Sequence, residues 1–338
     1  MALVEIDELH LTMTSYDGAA HVLAGVSLSL ERGEIWGLVG ETGCGKSLTG
    51  LTLSRLVASP PARYLSGAVR FDGRDLLAAD EETMRDLRGR RIGMIFQDPT
   101  TNLNPAFRVG TQMIDVALHA GRVDPSILGL AAGASRGARR RAARDLAVSM
   151  LDRVGIVDAA RRIDDYPHQF SGGMRQRVLI AMALIGRPDL IIADEPTTAL
   201  DVSVQAQILA LLHRLAAEDG LAILLITHNL GVVAQIASHV AVMYAGAVVE
   251  AGDVRAVLKS PRHPYTQALI AALPRADVKR GALAGLPGVV PDLLTPPPGC
   301  RFLPRCPIGA ADCARAAPGL APVDTGQRVA CFRAERAA

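Results

Sequence analysis

The stretch Gly40-Glu41-Thr42-Gly43-Cys44-Gly45-Lys46-Ser47 constrains this chain more than any other part of it. It fits the pattern G-x-x-x-x-G-K-S/T at every fixed position. A short apolar run, Ile35-Trp36-Gly37-Leu38-Val39, leads into it, and a helix is expected over 47–57 behind it. Strand, glycine-rich loop and helix in that order form a cradle for a chain of phosphates. The glycines let successive N–H groups turn inward, and the helix directs the positive end of its dipole to the same point. In such a cradle the backbone from Gly40 to Leu48 wraps the phosphates, Lys46 reaches the β and γ positions and Ser47 ligates Mg2+. Cys44 reads as a small space-filling residue within the loop.

A second constellation suits the first. Leu190-Ile191-Ile192-Ala193-Asp194-Glu195-Pro196 sets two acids at the end of a continuous apolar run. Such a run is expected of a central parallel strand, and ligands collect at the carboxyl edge of a parallel sheet. Asp194 is placed to hold Mg2+, directly or through water, and Glu195 to orient an attacking water as general base. Taken alone, Asp-Glu-Pro is an ordinary strand-to-loop turn. Downstream of a phosphate loop it points to nucleotide hydrolysis.

Phe170-Ser171-Gly172-Gly173-Met174-Arg175-Gln176-Arg177 resembles the signature motif of ABC ATPases. Ser171, Gly172 and Gly173 open a helix, which makes a second anion-binding amino terminus on the same chain. The resemblance implies that two such domains face head to tail, and that Ser171, Gly172, Gly173 and Gln176 act on the ATP held by the partner. Further marks follow in the family's order. Gln97 in Ile95-Phe96-Gln97-Asp98-Pro99 resembles the Q-loop, implying contact with Mg2+ and water. Ala199-Leu200-Asp201 resembles the D-loop, and His228 in Ile226-Thr227-His228-Asn229 the switch histidine. Tyr16 is the candidate for stacking on adenine, the alternative being a tyrosine of a surface turn. Asn229 stands where the family often has an acid, and Thr198 where it often has serine.

The expected fold is therefore α/β: a P-loop ABC ATPase domain over 1–258, with a RecA-like parallel core, an antiparallel β subdomain and a helical subdomain at about 100–180. Alternation marks strands at Leu9–Thr12 and Val26–Leu30, and two hairpins are expected, one at Asp72-Gly73 and one around Tyr244-Ala245-Gly246. Another helix is expected over 203–218. Residues 259–338 form a loop-rich extension, punctuated by Pro261, Pro264, Pro287, Pro291 and Pro296-Pro297-Pro298.

Ser260-Pro261-Arg262-His263-Pro264-Tyr265-Thr266-Gln267-Ala268-Leu269, followed by Leu286-Pro287-Gly288, resembles the extension of oligopeptide, dipeptide and nickel importer ATPases. That resemblance implies two different ATPase subunits, two permeases and an extracytoplasmic binding protein, with this chain peripheral at the cytoplasmic face of the inner membrane. It leaves peptide, nickel chelate or another small solute open as cargo. Cys300, Cys306, Cys313 and Cys331 match the cysteine-bearing tail of the same family, where the resemblance implies a [4Fe-4S] cluster. On residue chemistry alone four thiols make a credible closed site for a cluster or zinc, the alternative being simply reduced cysteines, and no Cys-x-x-Cys pair is present.

Charge narrows the field further. The formal net charge is only +2, so no global basic field argues for nucleic acid. The run Arg136, Arg139, Arg140, Arg141 and Arg144 reads as a solvated helix face, with Asp145 and Asp152 at pairing distance along the helix. The amino terminus has no charged leader followed by an apolar run, and no apolar stretch is long enough to span a bilayer, so a soluble, cytosolic chain is expected. A soluble ABC ATPase acting on nucleic acid or the ribosome would more often carry two cassettes or a long coiled coil. A catalytically dead subunit would not be expected to keep Lys46, Asp194, Glu195 and His228.

Overall fold

Alternating and continuous apolar runs become strands in the computed structural model, which describes residues 2–131, 133–198, 200–273, 286–324 and 326–334. Among these, the strands are β1 (Val4–Ser15), β2 (Gly18–Leu30), β3 (Ile35–Val39), β4 (Ala62–Phe71), β5 (Arg74–Asp75), β6 (Ile92–Ile95), β7 (Leu190–Asp194), β8 (Ala222–Thr227), β9 (His239–Tyr244), β10 (Ala247–Asp253), β11 (Ala321–Asp324) and β12 (Gln327–Val329). The chain forms two compact units, one of residues 1–31, 35–78 and 226–338, the other of residues 32–34 and 79–225.

In the first unit, β2, β1, β4 and β5 make an antiparallel sheet in that order. Leu9 and Leu11 of β1 face Val26 and Leu23 of β2, and all four are fully buried. The expected hairpin at Asp72-Gly73 joins β4 to β5; both residues have positive φ, 52° and 76°, as a tight primed turn requires. A second set runs in the order β11-β12-β10-β9-β3. Within it β3 and β9 are parallel, with Gly37 opposite Val240 and Val39 opposite Val242. The hairpin β9–β10 is antiparallel, and β10 then accepts β12 from the tail, Glu250 opposite Val329. The tail beyond residue 258 thus continues the sheet of the first unit instead of remaining all loop.

In the second unit the order is β8-β7-β6. Leu190 to Ala193 and Ala222 to Ile226 are fully buried, as their unbroken apolar runs demand. Strand β6 is parallel to β7, with Ile95 opposite Ala193. It is a strand that sequence patterning does not single out, being four residues long and interrupted by Gly93. The region expected to be helical carries helices Val109–Val123, Arg136–Arg153 and Gly172–Leu184. Among the described residues, the looser stretch between the first two holds only a 3-10 turn, Pro125–Leu128. Arg144 takes its bidentate partner from outside its own helix, Asp164 at 3.0 and 2.7 Å, rather than from Asp145. No helix among the described residues is long and apolar enough to cross a membrane.

Candidate functional site

The phosphate loop leaves β3 and enters the helix Lys46–Leu53, which ends four residues before the position expected. Thr52 and Ser54 turn their hydroxyls back to the carbonyls of Leu48 and Leu51, and Arg55 has φ 49°, so the last turn cannot propagate. At the other end Gly45 has φ 101°, a conformation that a side chain would oppose. A Cβ there would also come within 2.8 Å of Leu23. Lys46 is buried, its ammonium donating to the carbonyls of Gly40 and Glu41, each at 2.9 Å. That holds the cation inside the loop, where a phosphate would compete for it. Cys44 is buried beside Lys46, and burial pushes its thiol up despite that neighbour, so it stays a neutral filler of the loop.

In the second unit, parallel pairing explains how residues far apart in sequence meet. With β6 and β7 in register, the residues just past their carboxyl ends are neighbours. Gln97 donates from Nε2 to Glu195 Oε2 at 3.2 Å, and Thr198 donates from Oγ1 to the same oxygen at 2.7 Å. Glu195 has φ 47°, a left-handed backbone that non-glycine residues rarely adopt and that costs about 1–3 kcal/mol. The turn is thereby sharp enough to project the carboxylate off the strand end. Asp194, the last residue of β7, is buried.

The signature segment is capped by Ser171, whose Oγ accepts the Met174 N–H at 3.3 Å and closes the first turn of Gly172–Leu184. Gly173 permits a close helix crossing: a Cβ there would lie 2.4 Å from Val204 Cγ1. Gln176, expected to face a partner's nucleotide, is buried with its Nε2 without a hydrogen-bond partner. Asp201 caps the helix Val202–Asp219 by accepting the Val204 N–H at 2.9 Å and the Ser203 hydroxyl at 2.7 Å, and these bonds lower its pKa. Ala199 of the expected D-loop lies outside the described residues.

In the first unit His228 follows β8 directly and is exposed, and Asn229 caps the next helix by accepting the Gly231 N–H at 2.9 Å. The departure from an acid at position 229 keeps that capping oxygen. Tyr16 lies at the turn between β1 and β2, fully exposed, a position open to stacking but offering no packed wall behind it.

The four tail cysteines come together. All five cysteines of the chain are free thiols, and Cys300, Cys306, Cys313 and Cys331 line one cavity of about 10 Å³ with Phe302, Phe332 and His263. Burial pushes the thiols of Cys300, Cys306 and Cys331 up, and neighbouring thiols push further in the same direction. Backbone N–H groups of Phe302, Ile308 and Arg333 oppose this by donating to those sulfurs. Even so, among the described residues no group of three or more His, Cys, Asp or Glu is set to hold a metal ion as the side chains stand.

The residues that sequence patterning does not mark are those that hold the phosphate loop from outside. Tyr265 Oη accepts the Glu41 N–H at 2.9 Å. Arg305 forms a bidentate pair with the Glu41 carboxylate at 2.8 and 3.1 Å. His-Pro-Tyr is legible as a motif, but its reach to the loop is not. His263 Nδ1 accepts the Tyr265 N–H at 3.1 Å, Pro264 takes the first helical position, and Tyr265 is thereby aimed.

Comparison with known proteins agrees with this arrangement. The family model "ABC transporter" matches residues 23–198, and that of "Oligopeptide/dipeptide transporter, C-terminal region" matches residues 249–313. The dipeptide transport ATP-binding protein DppD of Bacillus subtilis is 43% identical over 339 residues, covering 99% of this chain and 97% of that one. The protein of the same name from Escherichia coli is 43% identical over 332 residues, covering 98% and 96%. Among solved structures, a dimeric post-hydrolysis state of the ATP-binding cassette MJ0796 bound to ADP and Pi aligns with TM-score 0.62 and 26% identity, over 75% of this chain and 99% of that one.

Proposed function

Because this chain belongs to the ABC transporter family and carries the C-terminal region of its oligopeptide/dipeptide branch, we propose that it is the ATP-hydrolysing subunit that powers an importer of di- or oligopeptides. The observation that carries this is the likeness to dipeptide transport ATP-binding proteins across nearly the whole chain, tail included. The phosphate loop supplies the chemistry: Lys46 and the inward N–H groups up to Leu48 bind the β and γ phosphates of ATP. Mg2+, when bound, neutralises charge developing on the phosphates; the hydroxyl of Ser47, the carboxylate of Asp194 and the amide of Gln97 are the groups suited to hold it.

Glu195 takes the proton of the attacking water. Gln97 and Thr198 both donate to one of its carboxylate oxygens, which orients the group for that task. Tyr16 offers a face for adenine, and His228 a contact for the γ phosphate. Ser171, Gly172 and Gly173 serve the nucleotide of a second ATPase subunit, different from this one, with Gln176 buried in the helix behind them, and Asp201 lies at that dimer contact. ATP-driven closure of the pair, then hydrolysis and reopening, drives two permeases fed by an extracytoplasmic binding protein. The chain then sits peripherally on the cytoplasmic face of the membrane.

The tail cysteines form a thiol site for a metal centre, an iron–sulfur cluster or zinc. Four thiols with backbone N–H donors suit a thiolate-bound group. The space between them admits no more than a water-sized sphere, so loading spreads the side chains. The thiols of Cys300, Cys306 and Cys331 are pushed up by burial, so loading also releases protons. Anaerobic purification followed by iron, sulfide and zinc assays decides it; a folded tail free of all three sinks the metal reading.

The function is tested by purifying the tagged chain from mildly solubilised membranes and identifying its companions by mass spectrometry. Two permeases and a second, different ATPase support the importer. Recovery with ribosomes, or alone, overturns it.

A further inference from the structure

The tail motif Ser260–Leu269, the later Leu286-Pro287-Gly288 and the arginines beside the cysteines have no part in the hydrolytic chemistry, yet they converge on one residue of the phosphate loop. Glu41 occupies a variable position of the loop pattern. Each of its polar groups nevertheless has a partner. Its N–H goes to Tyr265 Oη at 2.9 Å, its carbonyl to Lys46 Nζ at 2.9 Å, and its carboxylate to both terminal nitrogens of Arg305.

Arg305 is itself fully engaged. It is buried, it donates to the carbonyls of Pro287 and Leu286 at 2.9 and 3.2 Å, and its guanidinium lies 5.7 Å from the centre of the Tyr244 ring. Tyr244, Tyr265 and Phe302 pack as a cluster of rings with centroids 4.7–5.5 Å apart, so neither Tyr265 nor Arg305 can swing away without breaking it. The turn after Tyr244 completes the frame. Gly246 donates its N–H to the Cys44 carbonyl at 2.9 Å, and Arg301 donates to the carbonyls of Ala245 and His21.

We propose that Tyr265 and Arg305 are positioning residues of the nucleotide site: by fixing all of Glu41 they hold the phosphate loop in its ATP-binding shape, which makes the tail a working part of ATP binding in this chain. The physical reason is preorganisation. A glycine-rich loop loses much conformational freedom on closing around phosphates, and a frame that has already removed that freedom lowers the cost at binding. A bidentate arginine–carboxylate pair with its arginine buried gives direction as well as energy, which a single point charge would not. The inference rests on the reading of the loop as an ATP site.

The test is equilibrium binding of labelled ATP to the full-length chain and to Arg305→Gln, Arg305→Lys, Tyr265→Phe, Glu41→Gln and the Glu41→Gln/Arg305→Gln pair, with Lys46→Ala as control. Arg305→Gln is expected to weaken ATP binding about tenfold and Tyr265→Phe about fivefold. Arg305→Lys recovers part of the loss, and the double variant is no worse than Arg305→Gln alone, because both changes remove one interaction. In the assembled transporter, turnover at saturating ATP in Arg305→Gln and Tyr265→Phe stays within about twofold while KM for ATP rises, a split that general loss of packing would not give. If Arg305→Gln fails to fold, Tyr265→Phe, which removes one hydroxyl, carries the test. ATP binding within twofold of the unchanged chain in Tyr265→Phe and in folded Arg305→Gln, with Lys46→Ala defective, overturns the positioning role alone. Unchanged binding in Lys46→Ala as well overturns the ATP site with it.

Discussion

The phosphate-loop end and the carboxylate end of the proposed chemistry are held in opposite ways. Glu195 is secured from close by: Thr198, three residues on, supplies the shorter bond, and Gln97 arrives because β6 lies parallel to β7. Glu41 in the phosphate loop is secured from afar, by Tyr265 and Arg305, 224 and 264 residues away in sequence. The difference teaches that an acid at a strand end can be aimed by its own turn. A glycine-rich loop cannot, since the residues that let it curl are the ones without side chains to hold it. The stiffness must come from elsewhere, and here it comes from the tail.

The largest expected effect bears on the locally held end. Glu195→Gln should lower phosphate release at least about 100-fold while ATP binding persists. Near-normal turnover would remove Glu195 from its role and leave the two ends without the contrast drawn between them. Next comes Gly173→Ala, whose methyl meets Val204 at 2.4 Å. It should lower unfolding stability by about 1–3 kcal/mol in a urea titration, and Val204→Ala in the same chain should restore most of it. If Val204→Ala restores nothing, the glycine is kept for the signature's contact with a partner and not for packing.

The tail offers a test by pH. Burial holds His263 down to about 3, from an ordinary 6.5, so the folded chain keeps it neutral while the unfolded chain protonates it. Its contribution is therefore present above about pH 6.5 and is lost as pH falls towards 3. The loss amounts to at most about 1.4 kcal/mol per pH unit. Buried Glu250, which accepts the N–H groups of Arg262 and His263, has a raised pKa from desolvation and acts in the opposite sense on acidification. His263→Gln keeps Glu250, so the informative quantity is the difference between the two chains in urea midpoint at pH 7.5 and 5.5. The unchanged chain should lose more. Parallel pH curves would mean that His263 takes up no less charge folded than unfolded.

The smallest effect is expected at Thr198. Thr198→Val removes the 2.7 Å bond to Glu195 and should cost about 1 kcal/mol of transition-state stabilisation, a fall in kcat of about fivefold with KM for ATP unchanged. A rise in KM instead would place Thr198 on nucleotide binding.

Much of this molecule is legible in its residues because the physics involved is local. The phosphate loop, the apolar runs of β7 and β8, the Asp72-Gly73 hairpin and the serine that caps the signature helix each follow from a few neighbouring side chains. Strand β6 escapes such analysis because four residues with a glycine carry too little pattern, and only its pairing with β7 makes it a strand. Strand β12 escapes for a similar reason: three residues in a proline-rich tail become a strand because β10 has a free edge to receive them.

Sequence alone pointed to the candidate chemistry: a lysine in a glycine-rich loop, a carboxylate at a strand end, four thiols in one segment. What Tyr265 touches was decided only by the tertiary structure, as was the partner of Arg305 and the meeting of four cysteines at one cavity. The reason is physical. A hydrogen bond between residues more than 200 positions apart leaves no periodicity in the chain between them, and it exists because the tertiary packing holds the two groups within 3 Å of each other.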